Sequence, residues 1–206
     1  MPSLLRTLLL DLLIVVAGGA TLSAATDGFR AFTTEAARRL AIRQAPRVVP
    51  DVALQADDGR RLSLAAWHGG WLLVDFIYTR CQTYCTVLGG DYAQLQQDLA
   101  APIAAGRLQL LSISFDPEHD DLAALAAYKR RFGDHGAGWI AARPVDAAGL
   151  AALIHVFGVK VIADGYGGYV HNASLGLVDP QGRLVEVFDA GAPAAVAAAL
   201  RERLGP

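Results

Sequence analysis

Trp71-Leu72-Leu73-Val74-Asp75-Phe76-Ile77-Tyr78-Thr79-Arg80-Cys81-Gln82-Thr83-Tyr84-Cys85 is the stretch that decides how this chain of 206 residues is read. Its opening run, Trp71 to Tyr78, is apolar except for Asp75, the pattern of a central strand covered on both faces. After Cys85, apolar and small residues recur with helical period at Leu88, Tyr92, Leu95 and Leu99, and Pro102 and Gly106 close the segment. The only two cysteines therefore sit where a strand gives way to a helix. Their four-residue spacing puts both sulfurs on one face if the first helical turn includes them. A helix N-terminus offers unpaired N–H groups and a positive dipole end, which favour thiolate over thiol.

Further strands and helices unfold outward from this point. Upstream, Val52 to Leu54 and Arg61 to Leu64 flank Asp57-Asp58-Gly59, the composition of a hairpin turn. Downstream, Leu108 to Phe115 reads as a second buried strand, and Asp120 or Asp121 caps a helix running through Leu125 and Tyr128 to Phe132. Asp146 caps another that ends near Phe157-Gly158. Val159 to Ile162, a glycine-rich loop at 165–168, and the strands Ser174 to Val178 and Leu184 to Phe188 follow, the last two joined by the turn Asp179-Pro180-Gln181-Gly182. Pro193 opens a final Ala-rich helix to Leu204. A β-α-β unit followed by a tight hairpin gives a mixed central sheet flanked by helices, so the fold class is α/β and the order resembles the thioredoxin-like arrangement.

Ahead of this domain, Leu8 to Ala25 is an almost unbroken apolar stretch after Arg6, interrupted by Asp11, Thr21 and Ser23. It reads as an export signal at the lower edge of bilayer-spanning length, and Ser23-Ala24-Ala25 offers small residues for a cleavage site. Thr26 to Ala41 continues as an amphipathic helix without a break, which favours an uncleaved anchor. The expected organisation is an anchor or signal over 1–25, a helix and linker over 26–50, and the thioredoxin-like domain over 51–206. The domain is expected at the cell membrane on the periplasmic side, or soluble in the periplasm if the signal is removed. A net charge of −2 supplies no basic surface to neutralise phosphates, so nucleic acid is not an expected partner.

A bridge between Cys81 and Cys85 would close so short a loop that little chain entropy is removed, which makes a purely stabilising disulfide a poor reason for the pair. His171 lies just before the strand Ser174 to Val178. If that strand runs antiparallel to Trp71 to Tyr78, its start lies beside the other's end and the imidazole falls next to the sulfurs. Two thiolates and one imidazole suit copper in either oxidation state, whereas a closed structural zinc site needs a fourth ligand. Asp75, a charge inside an apolar strand, has to be paired, protonated or beside the site. Asp116 and Asp120 fit a turn and helix cap, His119 a solvent-exposed place, and His68, His135 and His155 structural or surface roles. Met1 is the only methionine, so the domain has no thioether ligand to offer.

Phe76 to Cys85, then Ser112-Ile113-Ser114-Phe115-Asp116-Pro117-Glu118-His119-Asp120, then His171 ahead of Leu177 to Gly182, together resemble the Sco/SenC family over roughly Val52 to Leu204. In that family two cysteines and a distant histidine bind copper, and the proteins help assemble the dinuclear copper centre of cytochrome c oxidase. The resemblance implies that Cys81, Cys85 and His171 are copper ligands, and Asp116 matches the family's Asp-Pro motif; Asp75, from its place in the strand, and Asp116 are the candidates for positions behind the ligands. It also implies as partners the copper-accepting oxidase subunit and a thiol reductant or another copper chaperone. The family usually has proline straight after the second cysteine, where this chain has Thr86.

A delivery role rather than catalysis is thus expected. The alternative is an exported thiol-disulfide oxidoreductase acting through Cys81 and Cys85 on a copper-site protein. Against it, three residues separate the cysteines instead of two, and no proline lies between Pro144 and Pro180. Peroxide reduction, with Arg80 activating a cysteine, is a further alternative.

Overall fold

The computed structural model describes residues 2–81, 84–133 and 138–205, and the chain divides into two compact units, Met1–Ala45 and Pro46–Pro206. In the first unit, α1 (Pro2–Ala25) contains the stretch Leu4–Ala25, whose mean hydropathy is 2.1. That helix is long and apolar enough to cross a bilayer core of about 30 Å, a property it shares with signal sequences. The helical continuation expected from Thr26 does not form. Asp27, Gly28 and Phe29 all adopt positive φ, at 50°, 72° and 64°, and α2 (Thr34–Gln44) starts afresh where the Thr33 side chain accepts a hydrogen bond from the Ala36 N–H at 3.0 Å.

The second unit is built on an eight-stranded sheet. In chain order its strands are β1 (Arg47–Val48), β2 (Ala53–Ala56), β3 (Arg61–Ser63), β4 (Trp71–Ile77), β5 (Leu108–Ser114), β6 (Trp139–Pro144), β9 (Ser174–Val178) and β10 (Arg183–Asp189). In space the order is β1-β10-β9-β4-β5-β6-β2-β3, with β4, β5 and β6 mutually parallel and every other pairing antiparallel. β7 (Val161–Ala163) and β8 (Tyr169–His171) form a separate two-stranded hairpin. The mixed sheet is as expected, but β6 is a parallel strand that the sequence pattern conceals: Ala141, Ala142 and Pro144 have weak strand preference. β1 lies in the stretch expected to be linker, where it pairs with β10 at Arg47 and Leu184.

Alternate residues of β4 face opposite layers. Phe76 packs edge-on against Phe157 of α6 (Ala147–Phe157), with ring centroids 5.2 Å apart. On the other face, Tyr92 of α3 (Tyr84–Asp98) reaches the sheet and donates to the Leu73 carbonyl at 2.9 Å. Tyr92 also meets Trp139 of β6 at 5.6 Å, as does Tyr128 of α5 (Leu122–Arg131) at 6.0 Å, so α3 and α5 share that face. The run after Asp98 re-forms as the short α4 (Ala100–Ala104). α7 (Pro193–Leu204) lies beside α3, tied there by the Gly191 N–H donating to Asp91 at 2.6 Å and Arg201 donating to the Asp98 carbonyl at 2.8 Å.

Caps settle where the helices begin. Asp146 accepts from the Gly149 N–H at 2.7 Å and caps α6 as expected. For α5 the cap is Asp121, accepting from Ala124 at 2.8 Å, and not Asp120, which is buried and used elsewhere.

Two adjacent glycines in α3 show how closely this helix is seated. A methyl group at Gly89 would stand 2.4 Å from the Phe132 ring, whereas one at Gly90 would meet nothing within 4 Å. Alanine favours a helix over glycine by about 1 kcal/mol, but overpacking costs about 1–3 kcal/mol. Gly89→Ala should therefore lower the unfolding free energy and Gly90→Ala raise it, both read from urea denaturation; the same sign for the two would contradict this packing.

Candidate metal centre

β4 ends at Ile77 and hands the chain to the first cysteine through Tyr78, Thr79 and Arg80. Asp120 fixes this exit: it accepts from the Thr79 N–H at 3.1 Å, from the Thr79 hydroxyl at 2.6 Å and from the Ser114 hydroxyl at 2.6 Å. One buried carboxylate thus ties the ends of β4 and β5 together. The Cys81 N–H donates to the Tyr78 carbonyl at 3.2 Å, and the Cys85 N–H points at Cys81 Sγ, 3.5 Å away. α3 begins at Tyr84, so Cys85 lies in its first turn and Cys81 precedes it. Cys81 takes the place of a cap, its sulfur accepting from a first-turn N–H.

His171 ends β8, just ahead of β9 in the chain. β9 pairs antiparallel with β4, Asp75 opposite Leu175, so the chain just before β9 lies past the end of β4. His171 Nε2 is 3.9 Å from Cys85 Sγ. One donor atom each from Cys81, Cys85 and His171 lies within 4.8 Å of the others, and all three residues are buried. Both cysteines are free thiols. Around them stand Tyr78, Phe115 and Tyr169; the His171 ring meets Phe115 at 5.1 Å and Tyr78 at 6.2 Å.

Burial sets the electrostatics. Desolvation pushes the Cys85 thiol well above its usual range, and the neighbouring Cys81 and Asp75 add to the rise. The expected preference for thiolate at a helix start is thus overridden by loss of water. The same desolvation lowers His171 to about 4, so the imidazole is neutral near pH 7, the form that ligates metal. Cys85 and His171 are thus neutral donors in an apolar setting.

Other expected residues fall outside this cluster. Asp116 accepts from Arg80 Nη2 and pairs with His119 Nδ1, each at 2.8 Å. Burial acts to raise its carboxyl, but those two partners outweigh it and hold the pKa below its ordinary value. With its guanidinium on Asp116, Arg80 is an ion-pair partner, which leaves the peroxide-reduction reading without support. His119 is half exposed; His68 and His155 are exposed; His135 lies outside the described residues.

Asp75 is fully buried in β4. Its two oxygens make no complete hydrogen bond, although the Ser112 and Tyr92 hydroxyls approach them.

The SCO1/SenC family profile matches residues 41–204. The chain belongs to the SCO1/SenC family. Among relatives, it is 34% identical over 133 residues to the mitochondrial SCO2 homolog of Bos taurus, a match covering 62% of this chain and 48% of that protein. The chain thus spans about half the length of that relative. It is 26% identical over 143 residues to the SCO1 protein homolog of Bacillus subtilis, covering 68% and 73% of the two chains. The structure of Bradyrhizobium japonicum ScoI with copper bound superposes with a TM-score of 0.64 at 24% identity, over 75% of this chain and 98% of that one, which shows the shared SCO1/SenC fold. The family resemblance carried by Phe76 to Cys85, the Asp116-Pro117 turn and His171 is therefore real.

Desolvation pushes Asp75 up to about 7 from an ordinary value of 3.8, and the nearby Asp91 adds to the rise. Between those values the folded chain holds a proton that the unfolded chain has lost. Stability then falls as pH rises through that window and levels off above it. At about 1.4 kcal/mol per pKa unit, Asp75→Asn should be more stable than the wild type at pH 8 by on the order of 2–4 kcal/mol, with the two converging near pH 4. Urea denaturation at both pH values checks this, and an unchanged pH slope in the variant would assign the dependence to another group.

Proposed function

We propose that this SCO1/SenC chain takes up copper on Cys81, Cys85 and His171 and delivers it to the copper-accepting subunit of cytochrome c oxidase during assembly of the dinuclear copper centre. One observation carries the reading: two sulfurs and a neutral imidazole nitrogen, far apart in sequence, converge within 4.8 Å in a buried pocket. Metal–sulfur bonds of about 2.3 Å and metal–nitrogen bonds of about 2.0 Å span donors up to about 4.6 Å apart, so a small contraction seats one ion. Soft sulfur ligands select Cu(I), and the imidazole adds a donor suited to Cu(II). Among the described residues no further histidine, cysteine or acid joins the cluster, which leaves a structural zinc without its fourth ligand. The copper-bound Bradyrhizobium japonicum relative supports the same choice of ion.

Each residue has a part in loading. Cys81 and Cys85 give up protons to the solvent as copper enters, and His171 binds without losing one. Asp116 is proposed to act from the rim by holding Arg80, and Asp75 to set the charge behind Cys85. A disulfide between Cys81 and Cys85 cannot ligate, so a thiol reductant has to act before loading whenever the pair is oxidised. The domain is proposed to stay on the membrane through the N-terminal helix and to face the periplasm.

Full-length reduced chain in detergent micelles should bind one copper per chain and the oxidised chain none, as read by equilibrium dialysis. His171→Ala should still form and break its disulfide, yet show an altered Cu(II) absorption and EPR spectrum and bind Cu(II) at least about tenfold more weakly. A variant with the wild-type spectrum and normal oxidase activity in cells would remove His171 from the site and make thiol exchange the leading account. The anchor is tested separately by intact mass of the membrane-extracted protein: the mature chain should retain Leu8 to Ala25, and a mature form beginning near Thr26 would replace the anchor with a cleaved signal.

A further inference from the structure

His171 ends a three-residue strand that pairs with β7 outside the main sheet. Its loop carries Gly165 and Gly167 at positive φ, 79° and 87°, and Ile162, Tyr166 and Val170 are exposed. The root of the hairpin is held by Asn172, which accepts from the Lys160 N–H at 2.6 Å and donates to the Gly158 carbonyl at 3.1 Å. Those bonds close the hairpin on its own approach and say nothing about where it stands relative to the cysteines.

Tyr78 makes that connection. Its carbonyl accepts from the Cys81 N–H, so its backbone is fastened to the cysteine loop. Its hydroxyl donates to the Tyr169 carbonyl and accepts from the Tyr169 N–H, both at 3.3 Å. In the hairpin Tyr169 stands opposite Ala163 of β7. One phenolic oxygen thus serves both backbone groups of a β8 residue, as a neighbouring strand would. The approach is close: a Cβ at Gly168 would stand 3.2 Å from that oxygen. The ring packs against Tyr169 and Phe115 at 5.2 Å and 5.3 Å, contacts a phenylalanine ring would keep. Besides the 3.9 Å approach of His171 Nε2 to Cys85 Sγ, the hydroxyl, which also neighbours Cys81, ties the hairpin to the cysteine loop through two hydrogen bonds, both slightly longer than the usual range. A hold that is paired but individually weak suits a pocket whose donors are buried and have to be reached by cargo.

We propose that the Tyr78 hydroxyl is a positioning latch: its two hydrogen bonds to Tyr169 set His171 over Cys81 and Cys85 and control how readily the thiols are reached. The part concerning the imidazole rests on the copper-binding reading above; the part concerning access does not.

Tyr78→Phe removes the hydroxyl and keeps the ring. Asp179→Ala is the control, since it deletes hydrogen bonds from the Gln181 and Arg183 N–H groups in the turn after β9, at the end of that strand away from the hairpin. In the full-length reduced, metal-free chain in micelles, the cysteines of Tyr78→Phe should react with an aromatic disulfide reagent about two- to tenfold faster than the wild type, the range set by a net hydrogen bond. Asp179→Ala should lower thermal stability and leave that rate unchanged. With Cu(II) bound, Tyr78→Phe should give a second set of EPR hyperfine lines while its Cu(I) affinity stays at the wild-type value. Wild-type behaviour of Tyr78→Phe in both thiol reactivity and spectrum, or equal changes in Asp179→Ala, would overturn the latch. If the wild type takes up no copper, the copper reading fails and the thiol rates alone decide the latch, upheld only by acceleration specific to Tyr78→Phe.

Discussion

The ladder between β4 and β9 is the constraint on which the site depends. Leu72 through Asp75 pair antiparallel with Val178 through Leu175, and that short register turns a separation of 86 residues into a contact of 3.9 Å between Cys85 and His171. Because the side-chain period of a strand is two, a slip of one residue would turn β9's apolar side chains over and carry His171 away with them. The register is secured by burial: Leu175, Leu177 and Val178 of β9 are core residues, as are Leu72, Leu73 and Val74 of β4. Hydrophobic packing of ordinary kind thereby sets the geometry of a polar site, at about 1.5–3 kcal/mol for each large side chain fully buried.

The same burial dictates the chemistry. Removing water disfavours charge on Cys85, His171 and Asp75 alike, raising the acids and lowering the base. Cys85 and His171 therefore rest as neutral donors, while the carboxylate of Asp116, itself buried, is held ionised by its pairing with Arg80 and His119. A soft ion that replaces thiol protons gains most in such a place. Asp120 belongs to neither group; it spends its oxygens on Thr79 and Ser114 and holds the two strand ends in line.

Much of this was legible beforehand where a residue's role follows from its neighbours in the chain. The apolar run at Trp71 to Tyr78, the Asp179 to Gly182 turn and the cap at Asp146 obey local rules of periodicity, turn chemistry and capping. Choosing Asp121 over Asp120 was beyond those rules, because either can reach a first-turn N–H and only the partners of Asp120 across the sheet end distinguish them. β6 was missed because two alanines and a proline carry little strand preference, and its place between β5 and β2 comes from tertiary pairing. The break at Asp27 to Phe29 interrupts a helical pattern that composition alone extends.

The sequence by itself determined the fold class, the strand-to-helix site of the cysteines and, through strand polarity, the neighbourhood of His171. Each follows from short-range periodicity and from the handedness and direction of paired strands, properties written along the chain. Tertiary structure decided the protonation of Cys85 and His171, the pairing of Asp116 with Arg80, and the role of Tyr78, which reads in sequence as the last apolar residue of a strand. Those depend on how much water packing excludes and on which backbone groups a side chain meets across 91 residues, and neither quantity has a local signature.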